Sequence, residues 1–186
     1  MIGVDEVGRG CLAGSMLVVA ARLVHKLPGG VADSKALTRA EREALYPLII
    51  KSCNFGEGWV SAVEIDLLGL SQATRLGVKR ALDALQVSPD EEVVIDGHIN
   101  YAPKSYNNVK AIIGADSKIP LVSVASIYAK VTRDRYMYNL ANHHPNYGFE
   151  RHVGYGTVFH MAAIKEHGVI EQLHRLSFAP LKDMAR

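Results

Sequence analysis

The stretch MIGVDEVGRGCLAG (Met1–Gly14) decides how the rest of the sequence reads. Met1 to Val4 is a short apolar run with a β-branched bias, the pattern of a buried strand, and it stops where two adjacent carboxylates, Asp5 and Glu6, begin. Side chains alternate faces along a strand, so both acids point one way only if a bulge or the following turn re-aims one of them. Gly8 and Gly10 offer such a bend, and Arg9 between them carries a planar charged fork suited to phosphate. Taken alone, the stretch also fits an ordinary hairpin turn with solvated charges.

Outward from it, Met16 to Val24 is a second apolar run, and Thr38 with Glu41 forms a capping box that opens a helix. Ala44, Leu45 and Leu48 would be its inner face, and Pro47 is expected to kink it. Gly58 to Ile65 reads as a third strand, and Ser71 caps a helix over residues 72–85. Val93 to Gly97 (VVIDG) is a buried strand tipped by Asp96, and Val109 to Ile113 is a fifth, followed by Gly114-Ala115-Asp116. The spacing of Val124, Ile127, Tyr128 and Val131 predicts a long helix from Pro120 to about Asn142. Thr157 caps a last helix that stops at Gly168. This alternation predicts an α/β fold, a mixed sheet between helices.

With 186 residues, 48% of them hydrophobic, the chain suits one domain with a sizeable core. The net charge of +2 permits an anionic partner without requiring one. Cys11 and Cys53 stand far apart and without ligand spacing, which argues against structural zinc or a disulfide framework. No run approaches the roughly 20 apolar residues of a membrane span and no secretory leader is visible, so a cytoplasmic protein is expected.

Asp5, Glu6, Asp96 and Asp116 fall at or just beyond the ends of three strands, where open α/β sheets place ligands. Carboxylates gathered without histidine or cysteine suit hard cations such as Mg²⁺ or Mn²⁺. A pair of such ions would serve phosphodiester hydrolysis. The bland reading is a set of turn formers and helix caps, which Asp116 fits better than Asp96.

Taken together, these segments resemble type 2 ribonuclease H (ribonuclease HII). The resemblance rests on GVDEVGRGCLAG at Gly3 to Gly14, DSK at Asp33 to Lys35, VVIDG at Val93 to Gly97, ASIYAKVTRDRYM at Ala125 to Met137, HVGYGTVFH at His152 to His160 and HRLSF at His174 to Phe178. It implies an RNase H-like fold: a central mixed five-stranded sheet flanked by helices, with a helical C-terminal extension. Residues 1–186 would form one catalytic domain, with about 145–186 contacting substrate. It also implies that Asp5, Glu6, Asp96 and Asp116 are catalytic and hold two divalent ions, Mn²⁺ or Mg²⁺. The implied substrates are RNA/DNA hybrids and duplex DNA with embedded ribonucleotides, cut 5′ to the ribonucleotide to leave 3′-hydroxyl and 5′-phosphate ends. Gly8, Arg9, Gly10 and Tyr155 would sense the 2′-hydroxyl and the ribose-to-deoxyribose junction, and Lys35 would contact phosphate. Lys79, Lys104, Lys118 and Arg151 are candidates for a backbone footprint. A monomer is expected.

The chain departs from the family pattern at Gly114-Ala115 and at Val153, where lysine is common. His152, His160 and His174 read as residues that hold loops, and Ser123 and Ser126 as bonding within their own helix.

Overall fold

The computed structural model describes residues 1–31 and 37–184; the expected phosphate contact Lys35 lies outside the described residues. In chain order the elements are β1 (Ile2–Val7), β2 (Met16–Leu23), α1 (Arg39–Ser52), β3 (Cys53–Val60), α2 (Ala62–Ala84), β4 (Val93–Asp96), β5 (Val109–Ile112), α3 (Pro120–His143), α4 (Phe149–His152), α5 (Val158–His167) and α6 (Leu181–Met184). The strands form one sheet in the order β3-β2-β1-β4-β5. β1 pairs antiparallel with β2 and parallel with β4, so the sheet is mixed, as expected. None of the described helices is long and apolar enough to cross a membrane.

The two faces of the sheet are covered differently. Ile2 and Val4 of β1 join Val18, Val93 and Ile95 in a core completed by Ile65, Val78 and Leu82 of α2. On the opposite face Leu17, Val19 and Ala21 pack against Val124 and Ile127 of α3 and Ile49 of α1. Gly3 is where α3 crosses β1, since a Cβ there would stand 2.5 Å from the Leu121 carbonyl carbon. The second half of α3 carries a third cluster, with Phe149, Ile164, Leu173 and Leu181 of the C-terminal segment gathered around Met137.

Three local expectations are corrected. The third strand is Cys53–Val60 rather than residues 58–65, because Ser61 and Glu64 form a capping box that starts α2 immediately afterwards. Helix α2 thus starts at Ala62, but Gly69 (φ 73, ψ 155) is non-helical and divides it, so the expected helix over residues 72–85 corresponds to its second segment and the unforeseen part is the stretch of helix before Gly69. In α1, Pro47 is accommodated inside the helix and the inner face is rotated: Ile49 is buried, whereas Ala44 and Leu48 are exposed.

Candidate active site

β1 does not end at the acids. Its ladder with β2 runs unbroken through Asp5 opposite Val19 and Glu6 opposite Val18, with no bulge. The two side chains therefore leave opposite faces, Asp5 toward α3 and Glu6 toward the α2 side. Register then supplies Asp5 with a neighbour. Val94 of β4 pairs with Gly3, and Asp96, two residues on, shares the α3 face with Asp5. The loop after β5 is tied to the same point, because the Ala115 amide donates to Asp96 Oδ1 at 2.7 Å. Asp116, the next residue, is buried, and its carbonyl accepts from Ser123 Oγ of α3.

The electrostatics follow from burial. Burial raises the Asp5 carboxyl to about 7, and the charges of Glu6 and Asp96 push the same way, against a hydrogen bond from Ser126 and the charge of Lys130. Glu6 is also raised, first by burial and then by Asp96, while Arg9 opposes with its charge and a hydrogen bond at 3.3 Å. Asp5, Glu6 and Asp96 are thus within electrostatic reach of one another. The serines do more than bond within their own helix. Ser126 receives Lys130 Nζ and bonds Asp5, so α3 delivers a lysine and a hydroxyl to the acid.

Oxygen donors under mutual repulsion are the donor set that Mg²⁺ or Mn²⁺ requires. Among the described residues no group of three or more His, Cys, Asp or Glu side chains is arranged to hold a metal ion unaided. The acids fit as partial ligands, one or two carboxylates per ion, with water and phosphate oxygens completing the coordination.

Around the acids, Gly8 (φ 79) turns the chain against α3, where a Cβ would stand 2.1 Å from Arg133 Nε. Gly10 is exposed and open, with nothing within 4 Å of a Cβ. Arg9 reaches back to Glu6 and donates to the Tyr101 hydroxyl at 2.9 Å. Tyr155 is 45% exposed, its phenol bonds Cys11, and it lines a cavity of about 200 Å³ with Val7, Lys130, Arg133 and Val153. Tyr155 and the glycine turn therefore meet through Cys11. Val153 adopts φ 44, unusual for a β-branched residue, with its carbonyl held by Arg133 Nη1 at 2.9 Å.

The sequence reading gave no role to Arg133 and Arg175, both fully buried. Arg133 donates to the carbonyls of Ala13, Ser15 and Val153, and Arg175 to those of Arg9 and Gly14. Both lie inside motifs that were recognised, but nothing in an isolated arginine's sequence context marks it as buried. The histidines do hold loops: His152 binds the Tyr147 carbonyl, and His160 the Tyr155 carbonyl.

Comparison with known proteins places the chain in a family and a fold. The family model described as Ribonuclease HII matches residues 2–181. A Ribonuclease HII of Burkholderia vietnamiensis is 46% identical over 182 residues, covering 97% of this chain and 82% of the relative. Among solved structures, the RNase HII in the PCNA:RNase HII complex from Archaeoglobus fulgidus superposes with a TM-score of 0.77 at 26% identity, covering 94% of this chain and 92% of that one. The fold is also that of Bst-RNase HIII, solved in complex with Mn²⁺, with a TM-score of 0.76 at 22% identity over 99% of this chain and 68% of that one. A family model spanning nearly every residue, together with near-full-length relatives, establishes that the chain belongs to the ribonuclease HII family.

Proposed function

We propose that this metal-dependent ribonuclease hydrolyses the phosphodiester 5′ to ribonucleotides, both in RNA/DNA hybrids and in DNA duplexes with embedded ribonucleotides, using two divalent cations and leaving 3′-hydroxyl and 5′-phosphate ends. The observation that carries the reading is a knot of carboxylates at one end of the sheet: burial above all, and to a lesser degree the charges of Glu6 and Asp96, raises the Asp5 carboxyl to about 7. Such a knot is stable as a set of carboxylates only when cations join it.

When bound, a pair of Mg²⁺ or Mn²⁺ ions supplies the charge that lets water attack the scissile phosphorus and the 3′-oxygen depart. Asp5, Glu6, Asp96 and Asp116 hold them. Lys130 and Ser126 keep Asp5 oriented. The open backbone at Gly10 offers hydrogen bonds to a 2′-hydroxyl, the group that separates RNA from DNA. Tyr155, half exposed and fixed from beneath through Cys11, presents a ring to the sugar on the far side of the junction. Arg9 belongs to this surface too, and its bond to Glu6 is exchangeable for one to phosphate. The C-terminal segment that carries Tyr155 is bonded to the chain just after the glycine turn, through Gly154, Leu173 and Arg175 to residues 12–14 and through Arg175 to the Arg9 carbonyl.

The test is cleavage-site mapping with Mg²⁺ or Mn²⁺ on matched duplexes carrying no ribonucleotide, one, or a short run. Cutting is expected 5′ to the single ribonucleotide and within the run, with the all-DNA duplex intact. Equal cutting of the all-DNA control would defeat the proposal.

A further inference from the structure

A cavity of about 800 Å³, with none of the four acids in its lining, lies between the middle of α2 and the loop that follows β4. Its apolar wall is Leu68, Leu76 and Pro103, and its cations are Arg75, Lys79 and Lys104. No carboxylate lines it. Arg75, Lys79 and Lys104 are exposed, and so is Leu68 at 46%. Lys79 is shared with Asp83 at 2.5 Å, so Arg75 and Lys104 carry most of the positive edge, and the apolar wall beside them complements a ligand that is flat and apolar in one part and anionic in another.

The groove is also continuous with the active site. Tyr101 lines its inner end, donor to neither pole but shared by both: Arg9 lies 5.4 Å from its ring centroid and Arg75 5.5 Å. Arg9 in turn bonds Glu6, so an unbroken series Glu6–Arg9–Tyr101–Arg75 runs from the acids into the groove.

We propose that the groove is a subsite for single-stranded nucleic acid extending beyond the duplex held at the acids, a proposal that rests on the function given above. An intact duplex presents phosphates outward and keeps its bases stacked within, so it has nothing to place against Leu68, Leu76 and Pro103. An unpaired strand offers base faces to the apolar wall and to the Arg75 guanidinium while its phosphates meet Lys104 and compete with Asp83 for Lys79. The enzyme would therefore favour ribonucleotides near a nick, flap or frayed end, on the side where the strand departs over Arg9.

The test compares a blunt duplex containing one ribonucleotide with four versions, each carrying a single-stranded extension of about six nucleotides at one end, a span typical of single-strand grooves. KM is measured with Mg²⁺, and binding is followed separately by fluorescence anisotropy without added metal. One extension is expected to tighten binding and lower KM about fivefold or more, the effect of roughly one stacked base. Leu68→Glu and Arg75→Gln, both at exposed positions, should remove that gain while changing KM for the blunt duplex less than about twofold. The proposal falls if none of the four extensions tightens binding, if the gain survives both substitutions, or if both weaken the blunt duplex equally, which would make the groove a footing for paired DNA. Should the blunt duplex resist cleavage, the function proposed above fails, whereas the anisotropy comparison still decides the groove.

Discussion

The molecule buries charge in two places and treats it in opposite ways. Where β1 runs beside the end of β4, Asp5 and Asp96 share one face with Glu6 in range, so burial and mutual repulsion act in the same direction. Beneath the glycine turn, Arg133 and Arg175 are equally buried, yet their guanidinium groups are matched to backbone carbonyls from residues 9 to 15 and 153. Burial lowers Arg175 only to about 10, which leaves it charged at neutral pH. The second region is complete in itself. The first is held short of completion, because Lys130 and Arg9 offset only part of what burial costs Asp5 and Glu6. A buried polar group with all its partners belongs to the scaffold, whereas one that remains unfavourable without a ligand marks where a ligand belongs.

The sharpest way to break this contrast is Asp5→Asn. The amide keeps the shape and can still accept from Ser126, but it is a poor ligand and carries no charge. Turnover should fall by more than the ~10–100-fold typical of losing a group that merely supports a metal ligand. In metal-free buffer at pH 8, however, the variant should be more stable than the parent, by about 1–3 kcal/mol, because a buried charge among like charges has been removed. Thermal unfolding in a chelator reads this as a rise of several degrees. A variant that is inactive but less stable would mean that Asp5 is a scaffold group after all.

The reverse is expected at Arg175. Replacing it with Met strips the donors from the buried Gly14 carbonyl and the part-buried Arg9 carbonyl, at a cost of about 1–3 kcal/mol for a buried group and less for the other, so a stability loss on the order of 3 kcal/mol follows. Arg175→Lys should recover part of it, since an ammonium keeps the charge but lacks the fork that reaches both carbonyls. In the Lys variant KM should rise more than kcat falls, because the turn at residues 8–10 loosens while the acids stay in place. Equal stability of the Met variant and the parent in denaturant titrations would sink the idea that these bonds hold the turn.

The same contrast explains what the sequence disclosed. Asp5 and Asp96 were legible because each directly follows an apolar β-branched run, a local pattern, whereas Asp116 stands in the turn beyond β5. Their arrangement was not: Asp5 and Glu6 part to opposite faces because the ladder to β2 continues past them, a fact of pairing that no single strand carries. β3 was misplaced because Gly56 and Gly58 dilute its strand pattern. Those glycines are there because α2 passes so close that a Cβ at Gly58 would meet the Gly77 carbonyl oxygen at 1.9 Å. The Ser61–Glu64 box that ends the strand was visible locally and outweighed by the apolar run around it. In α1 the adjacent Leu48, Ile49 and Ile50 leave the helical phase open by a full step, and packing against the sheet chose Ile49. Arg133 and Arg175 were illegible for a deeper reason, since their partners are backbone carbonyls, which every residue has.

A milder effect, and one that acts through pH, should come from the histidines of the C-terminal segment. The Ile170 amide can only donate, at 2.7 Å, so His174 Nδ1 accepts and its Nε2 carries the proton. The Tyr155 carbonyl can only accept, at 2.9 Å, so His160 Nδ1 donates and its Nε2 is bare. The two Nε2 atoms then meet at 3.2 Å with one proton between them. This relay, from Ile170 to the backbone of Tyr155, works only while both rings are neutral. Burial accordingly lowers each to about 4. Unfolded, the same rings titrate near 6.5, so between these values the unfolded chain binds more protons than the folded one. Their contribution to stability is therefore complete above about pH 6.5 and is lost as pH falls toward 4, with a total on the order of 3 kcal/mol for the coupled pair. Denaturant titrations at pH 7 and pH 5 should show this loss in the parent and roughly half of it in His174→Gln, whose amide can still bridge Ile170 and His160. An unchanged difference between the two pH values in that variant would assign the acid sensitivity to other groups and leave the relay without a role in holding Tyr155.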